Sequence, residues 1–228
     1  MTLSKAMSNN GKILALFAIT CTAIVGGVNE FTKERIYKQQ QQQLLTTLNG
    51  IIAPHRYNNE LTLDCVTITD VSFNQGVQQT AYLARMNNVP VAAALTTTTL
   101  DGYNGTIDLL VAINFDGNIS GVRTLAHQET PGLGDKIDHK KSDWISIFNN
   151  KSLTQENNNT WAVIKDGGSF DQFTGATITP RSVVKAVKNT LIYFNQNKAQ
   201  LFAMPNACHV DKVDKVDIDL EGSDNELQ

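Results

Sequence analysis

The chain has 228 residues, a net charge of −3 and a sequence pI near 5.8. That length allows one good-sized domain with appendages, and the charge argues against a nucleic-acid partner, whose usual footprint is a basic face. Charged residues are only 18 % of the chain while Asn, Gln and Thr abound, a composition that suits a secreted or periplasmic surface.

Residues 13–28 (ILALFAITCTAIVGGV) form the one long uncharged apolar stretch. With flanking residues to Phe31 they reach the roughly 20 positions that a bilayer-spanning helix needs. A cleaved signal peptide is the rival, because Lys5 and Lys12 make a basic amino-terminal region. The stretch lacks an A-x-A site at its end, and Cys21 lacks a small residue just before it, so an uncleaved anchor is preferred. Charge leaves its orientation open, with Lys5 and Lys12 on one side and Lys33, Arg35 and Lys38 on the other.

Residues 32–49 read as a helical stalk, in which the glutamine run 39–43 leads straight into Leu44, Leu45 and Leu48. Residues 65–71 and 79–84 alternate as strands do, and 89–99 is rich in small and β-branched residues. Residues 109–115, the turn Asp116-Gly117-Asn118 and residues 119–125 predict a hairpin. Ser142–Phe148 fits a short helix with Trp144, Ile145 and Phe148 on one face, and Trp161–Ile164 a strand. After Pro180 apolar residues recur at Val183/Val184, Val187, Leu191 and Phe194, the stripe of a core-facing helix. Residues 204–228 form an acidic tail of disordered character apart from Cys208. These elements lack a βαβ rhythm, so the expected fold is a single α+β domain over residues 50–203 behind the anchor and stalk. Cys65 and Cys208 would oxidise in an exported domain if their geometry allows; two unpaired thiols are the alternative.

Two segments invite a chemical role. In Asp171–Pro180 (DQFTGATITP) a small-residue turn precedes a helix start for which Thr179 is the expected N-cap and Pro180 the first helical residue. A phosphate near Thr177 would meet unpaired backbone N–H groups and the positive end of a helix dipole, although a plain capped helix needs no ligand. The second segment is His127–Lys136 (HQETPGLGDK), whose glycines let backbone approach a ligand closely. A metal at His127 and Glu129 is disfavoured, since the other histidines show no ligand spacing and cysteine partners are absent. No nucleophile elbow or cysteine-protease arrangement is present, and no catalytic residue is assigned.

Taken together, these stretches resemble the FMN-binding domain family of bacterial redox-driven ion pumps, which includes G subunits of Rnf (Rsx) electron transport complexes and, more distantly, C subunits of sodium-translocating NADH:quinone reductases. The resemblance rests on Asp101-Gly102-Tyr103-x-Gly105-x-Ile107, Gly121-Val122-Arg123, His127-x-Glu129-Thr130-Pro131-Gly132-Leu133-Gly134-Asp135-Lys136-Ile137, Asp171-x-x-Thr174-Gly175-Ala176-Thr177 and Pro180-Arg181. The apolar anchor, the Gln-rich stalk and Arg56-Tyr57-Asn58-Asn59 fit as well. It implies an electron-carrying flavoprotein subunit of an ion-translocating oxidoreductase, a relay and not a stand-alone catalyst. It further implies FMN joined through its phosphate to Thr177 by a flavin transferase that draws on FAD. Asp171, Thr174, Gly175 and Ala176 would be the sequence the transferase reads, and Glu129, Thr130, Gly132, Leu133 and Gly134 the wall beside the ring. Thr174 stands where many relatives have Ser, which preserves the hydroxyl. The implied partners are the other subunits of the Rnf/Rsx complex. The implied location is the bacterial inner membrane, with residues 1–12 cytoplasmic, a single span at 13–31 and a periplasmic domain. The alternative is an anchored periplasmic binding or assembly module without redox activity.

Overall fold

Three elements set the architecture: a long amino-terminal helix, an antiparallel meander, and a helix laid across one face of it. In the computed structural model, which describes residues 2–70, 73 and 77–208, these are α1 (Thr2–Asn49), β1 (Cys65–Ile68), β2 (Gln79–Met86), β3 (Val89–Thr99), β4 (Ile107–Asn114), β5 (Ile119–His127) and α2 (Ile178–Ala203). The strands pair in sequence order, each antiparallel to the next. This is the α+β fold expected. The tail expectation falls largely on residues 209–228, outside the described residues.

Helix α1 runs unbroken for 48 residues, about 72 Å at 1.5 Å per residue. The window from Asn10 is long and apolar enough to cross a membrane and is unburied, with Phe17 68 % and Val25 69 % exposed. A helix that leaves such side chains unpacked is compatible with a single-pass membrane anchor. Its last turn differs: Leu48 is fully buried, and with Ile51, Ile52 and Leu61 it packs on one sheet face. That face accepts it because Ala84, Ala92, Ala94 and Ala112 keep the surface low. Gly121 serves the same end, since a Cβ there would lie 2.8 Å from Ile51 Cγ2.

The opposite sheet face carries the larger core. Leu83, Leu95, Leu109, Val111 and Val122 meet the α2 stripe Val183, Val184, Val187, Leu191 and Phe194, all buried as the periodicity predicts. The predicted short helix is a 3₁₀ helix, Asp143–Phe148, with the Ser142 hydroxyl accepting from Trp144 N–H and with Trp144, Ile145 and Phe148 buried. The predicted hairpin turn forms, with Gly117 at φ +94° and Asp116 Oδ1 accepting from Asn118 N–H at 2.9 Å. Trp161–Ile164, expected as a strand, is not one. Val163 makes a single bridge to Phe170, and the chain turns at once through a 3₁₀ segment, Ile164–Asp166, that ends on Gly167 at φ +81°. Trp161 and Val163 are buried because they pack with Phe148 and Phe170, not because they join the sheet.

The outer edge of β1 is covered by the chain beyond α2. Ala207 N–H donates to Cys65 O at 2.7 Å, and Asn206 bridges Cys65 N–H and Leu63 O through its side chain. Cys65 and Cys208 are disulfide-bonded, with Cα atoms 5.3 Å apart and a sequence separation of 143. A bond closing so long a loop constrains the unfolded chain strongly. Cys208→Ser is therefore expected to cost about 2–4 kcal/mol, read as a fall in the denaturation midpoint of the full-length protein in detergent.

Candidate functional site

The turn ahead of α2 is held from behind. The Trp144 indole N–H donates to Asp171 O at 2.8 Å, and the Trp144 ring meets Phe173 edge-on at 5.0 Å. Phe173 is buried, while Ala176 N–H closes the turn onto Phe173 O at 3.2 Å. Thr174 and Gly175 project at its exposed tip. Gly175 has φ +83°, a conformation that side-chain-bearing residues rarely adopt.

The helix begins earlier than the sequence predicts. Thr177, not Thr179, is the N-cap, and Pro180 is the third helical residue instead of the first. Pro is tolerated there because the amides of the first turn have no intrahelical acceptor in any case; the first i→i−4 bond runs from Arg181 N–H to Thr177 O at 3.3 Å. Thr177 itself has φ −84° and ψ −30°, and its side chain makes no capping bond. An N-cap Thr ordinarily accepts from the second or third helical amide from a β-region backbone. Here the helical backbone of the cap leaves that hydroxyl out of the helix.

Thr179, displaced from the cap, is 1 % exposed and donates to Glu129 Oε2 at 2.5 Å. Asn104 N–H donates to Glu129 Oε1 at 3.2 Å, and Asn104 Nδ2 to Gln128 O at 2.8 Å. Glu129 N–H in turn donates to His127 Nδ1 at 3.1 Å, so His127 serves the loop as an acceptor. A Cβ at Gly102 would stand 2.8 Å from Glu129 Oε1, and one at Gly134 would stand 2.7 Å from Oε2 and 2.8 Å from the Thr179 hydroxyl. Gly134 makes room for the carboxylate, while at Gly102 the nearest obstacle to a Cβ is the Gly105 carbonyl oxygen at 2.2 Å, with the carboxylate next. Among the described residues no three His, Cys, Asp or Glu side chains gather as a metal site.

These segments enclose a cavity of about 420 Å³, within the range of small-molecule sites. Of the residues picked from sequence, Glu129, Thr130, Leu133, Gly134, Gly175, Ala176 and Thr177 line it. Asp171, Thr174 and Gly132 do not: Asp171 is spent through its backbone, Thr174 sits at the turn tip, and Gly132 gives the loop its φ of +78°. Sequence reasoning missed three further lining residues, Tyr103, Ile178 and Thr179. Tyr103, Leu133 and Ile178 are large apolar groups left 67, 42 and 44 % exposed around the opening. Among the described residues, neither Lys nor Arg lines the cavity. The cations of the first two turns of α2 are paired outside it, Arg181 with Asp166 and Lys185 with Asp101. The Arg181 guanidinium hydrogen bond holds the Asp166 carboxyl below the usual carboxylate range.

The chain thus combines a helix compatible with a membrane anchor and an α+β domain with a pocket at a helix start, and similarity to known proteins gives this arrangement its content. A family model for the FMN-binding domain matches residues 102–192, and one for the RnfG N-terminal region matches residues 1–51. The G subunit of the ion-translocating oxidoreductase complex of Shewanella baltica (strain OS223) is 50 % identical over 203 residues, 89 % of this chain and 96 % of the relative. The protein of the same description from Shewanella piezotolerans is 48 % identical over 210 residues, 92 % of this chain and 99 % of the relative. That from Vibrio cholerae is 49 % identical over 204 residues, 89 % and 97 % of the two chains. The chain belongs to the G-subunit family of ion-translocating oxidoreductase complexes and contains its FMN-binding domain. Membership supports a redox role as a flavoprotein within a multi-subunit complex.

Gly134→Ala should break the Thr179–Glu129 bond by intrusion. The expected cost is about 1–3 kcal/mol, the range for a buried polar group left unpaired, read as a lower melting temperature, with Thr179→Ser as the variant that keeps the hydroxyl and the stability.

Proposed function

We propose that this chain carries FMN joined through its phosphate to Thr177 Oγ, and that it relays electrons between redox partners of a membrane-bound ion-translocating complex. The observation that carries this reading is Thr177: an N-cap residue whose side chain makes no capping bond and which lines the cavity. The surroundings fit the group. A phosphate ester on Thr177 would sit where helix amides precede the first i→i−4 bond, at the positive end of the dipole. The apolar surfaces of Tyr103, Leu133 and Ile178 suit a flat ring, and the glycines keep the approach open.

Attachment forms one phosphoester bond between Thr177 Oγ and the FMN phosphorus, breaks the pyrophosphate bond of FAD, and releases AMP with loss of the hydroxyl proton. A separate flavin transferase performs it, reading the segment Asp171 to Thr177. Two features of the turn favour access: Thr174 and Gly175 are exposed, and Ala176 and Gly175 add little bulk beside the hydroxyl. Once bound, the flavin supplies the electron chemistry; the chain supplies orientation, partial exclusion of water and local charge.

The domain is proposed to face the periplasm, with residues 1–12 cytoplasmic, 13–31 spanning the inner membrane and 32–49 forming the stalk. The Cys65–Cys208 disulfide supports an oxidising compartment for the domain. As a helix, the roughly 12 stalk residues ahead of Leu44, the first to pack on the domain, would stand it about 18 Å off the membrane, the level at which other subunits of such a complex would meet it.

Full-length protein made beside a flavin transferase is expected to exceed its sequence mass by one FMN less one water, and to fluoresce on a denaturing gel. Thr177→Ala should lose both signals and Thr177→Ser should keep them. A folded Thr177→Ala protein with undiminished covalent flavin would sink the assignment.

A further inference from the structure

Glu129 is more than a wall of the cavity. It is 4 % exposed, yet among the described residues it has no ion pair with any Lys, Arg or His. Among the described residues its carboxyl group is hydrogen-bonded by the Asn104 amide and the Thr179 hydroxyl. Gly102 and Gly134 lie beside its two oxygens, so close that an added Cβ would stand 2.8 Å from Oε1 or 2.7 Å from Oε2. Burying a charge without a counter-ion is costly, and a neutral side chain could hold the same two neighbours. The amide of Gln would accept from Asn104 N–H through its oxygen and donate to a rotated Thr179 hydroxyl through its nitrogen. Hydrogen bonding therefore does not require the charge.

We propose that the uncompensated Glu129 carboxylate sets the reduction potential of the flavin, holding it low. The inference rests on the FMN reading above. Every electron that a redox partner in the complex passes to the ring adds negative charge to a pocket that holds a fixed carboxylate and, among the described residues, no Lys or Arg. Repulsion in a partly desolvated site is not screened away as it would be in water, so the reduced flavin is disfavoured relative to the oxidised one. Glu129 thereby acts as a tuning residue: it need not exchange a proton or touch the phosphate.

The test is a spectroelectrochemical titration of full-length protein in detergent, on samples whose intact mass shows one FMN. Glu129→Gln is expected to raise the midpoint potential, by at least a tenfold change in the reduced-to-oxidised equilibrium. That is about 30 mV for a two-electron couple, or about 59 mV for a one-electron couple. Its melting temperature in a Thr177→Ala background, free of flavin, should be no lower than that of the background alone. If Glu129→Gln does not fold, the double variant Glu129→Met/Thr179→Val, which replaces both buried partners by apolar groups of similar shape, should show the same rise. An FMN-loaded variant with an unchanged or lower potential would overturn this inference alone. A wild-type mass without FMN would overturn the underlying reading and this one with it.

Discussion

The contact on which the pocket depends is the buried carboxylate of Glu129, held by the Thr179 hydroxyl 50 residues later and by the Asn104 amide 25 residues earlier. It joins three chain segments that share no secondary structure: the loop after β3, the loop after β5, and the start of α2. Loops alone would be the softest part of such a fold. Here two of them are tied to a helix that is itself anchored by the core stripe from Val183 to Phe194. The glycine at 134 follows from this contact, because the carboxylate and the Thr179 hydroxyl occupy the space its side chain would need.

The scaffold explains why the site lies at the start of α2. One sheet face is nearly all alanine and glycine where the end of α1 and residues 50–52 lie against it, so the stalk meets the domain by close packing. The other face is deep and aromatic-rich, and Trp144, Phe148, Trp161, Phe170 and Phe173 form one connected cluster under the turn that carries Thr177. Rigid burial of Phe173 lets the residues just after it be small and exposed. The proposed attachment segment Thr174–Thr177 thus lies on a short projection from a packed core, not on a long flexible loop.

The strands and the core face of α2 were legible because period-2 and period-3.6 patterns report which side chains are buried, and burial is what the core enforces. The helix start was misread because Thr179-Pro180 has the local chemistry of a cap and first residue. Local chemistry could not show that Glu129 claims the Thr179 hydroxyl from across the fold. The Trp161–Ile164 segment misled for a related reason: its short apolar run reports an aromatic cluster, not a sheet. Tyr103 and Ile178 were invisible as pocket residues because each is an exposed apolar side chain, and exposure gives no periodic signal. In the site, then, the two segments were readable as linear motifs, while which of their side chains line the cavity was set by the tertiary contact.

On the proposed reading, the linkage and the pocket answer the same physical problem. The cavity is open, about 420 Å³ in volume, and offers a phosphate backbone dipoles but no Lys or Arg among the described residues. Dipoles at a helix start are each worth a fraction of the interaction that a charged clamp supplies. Glu129 adds a fixed negative charge close by, which would weaken retention of an anionic cofactor still further. A covalent ester removes the need for that binding energy, because the flavin is then present at a high effective concentration whatever its affinity. The pocket is left free to be electrically unfavourable to added electrons, which a site that had to hold FMN reversibly could tolerate less well. Low affinity, permanent attachment and an unpaired carboxylate are then one arrangement: the bond keeps the cofactor, and the protein's charges are left to govern its electrons.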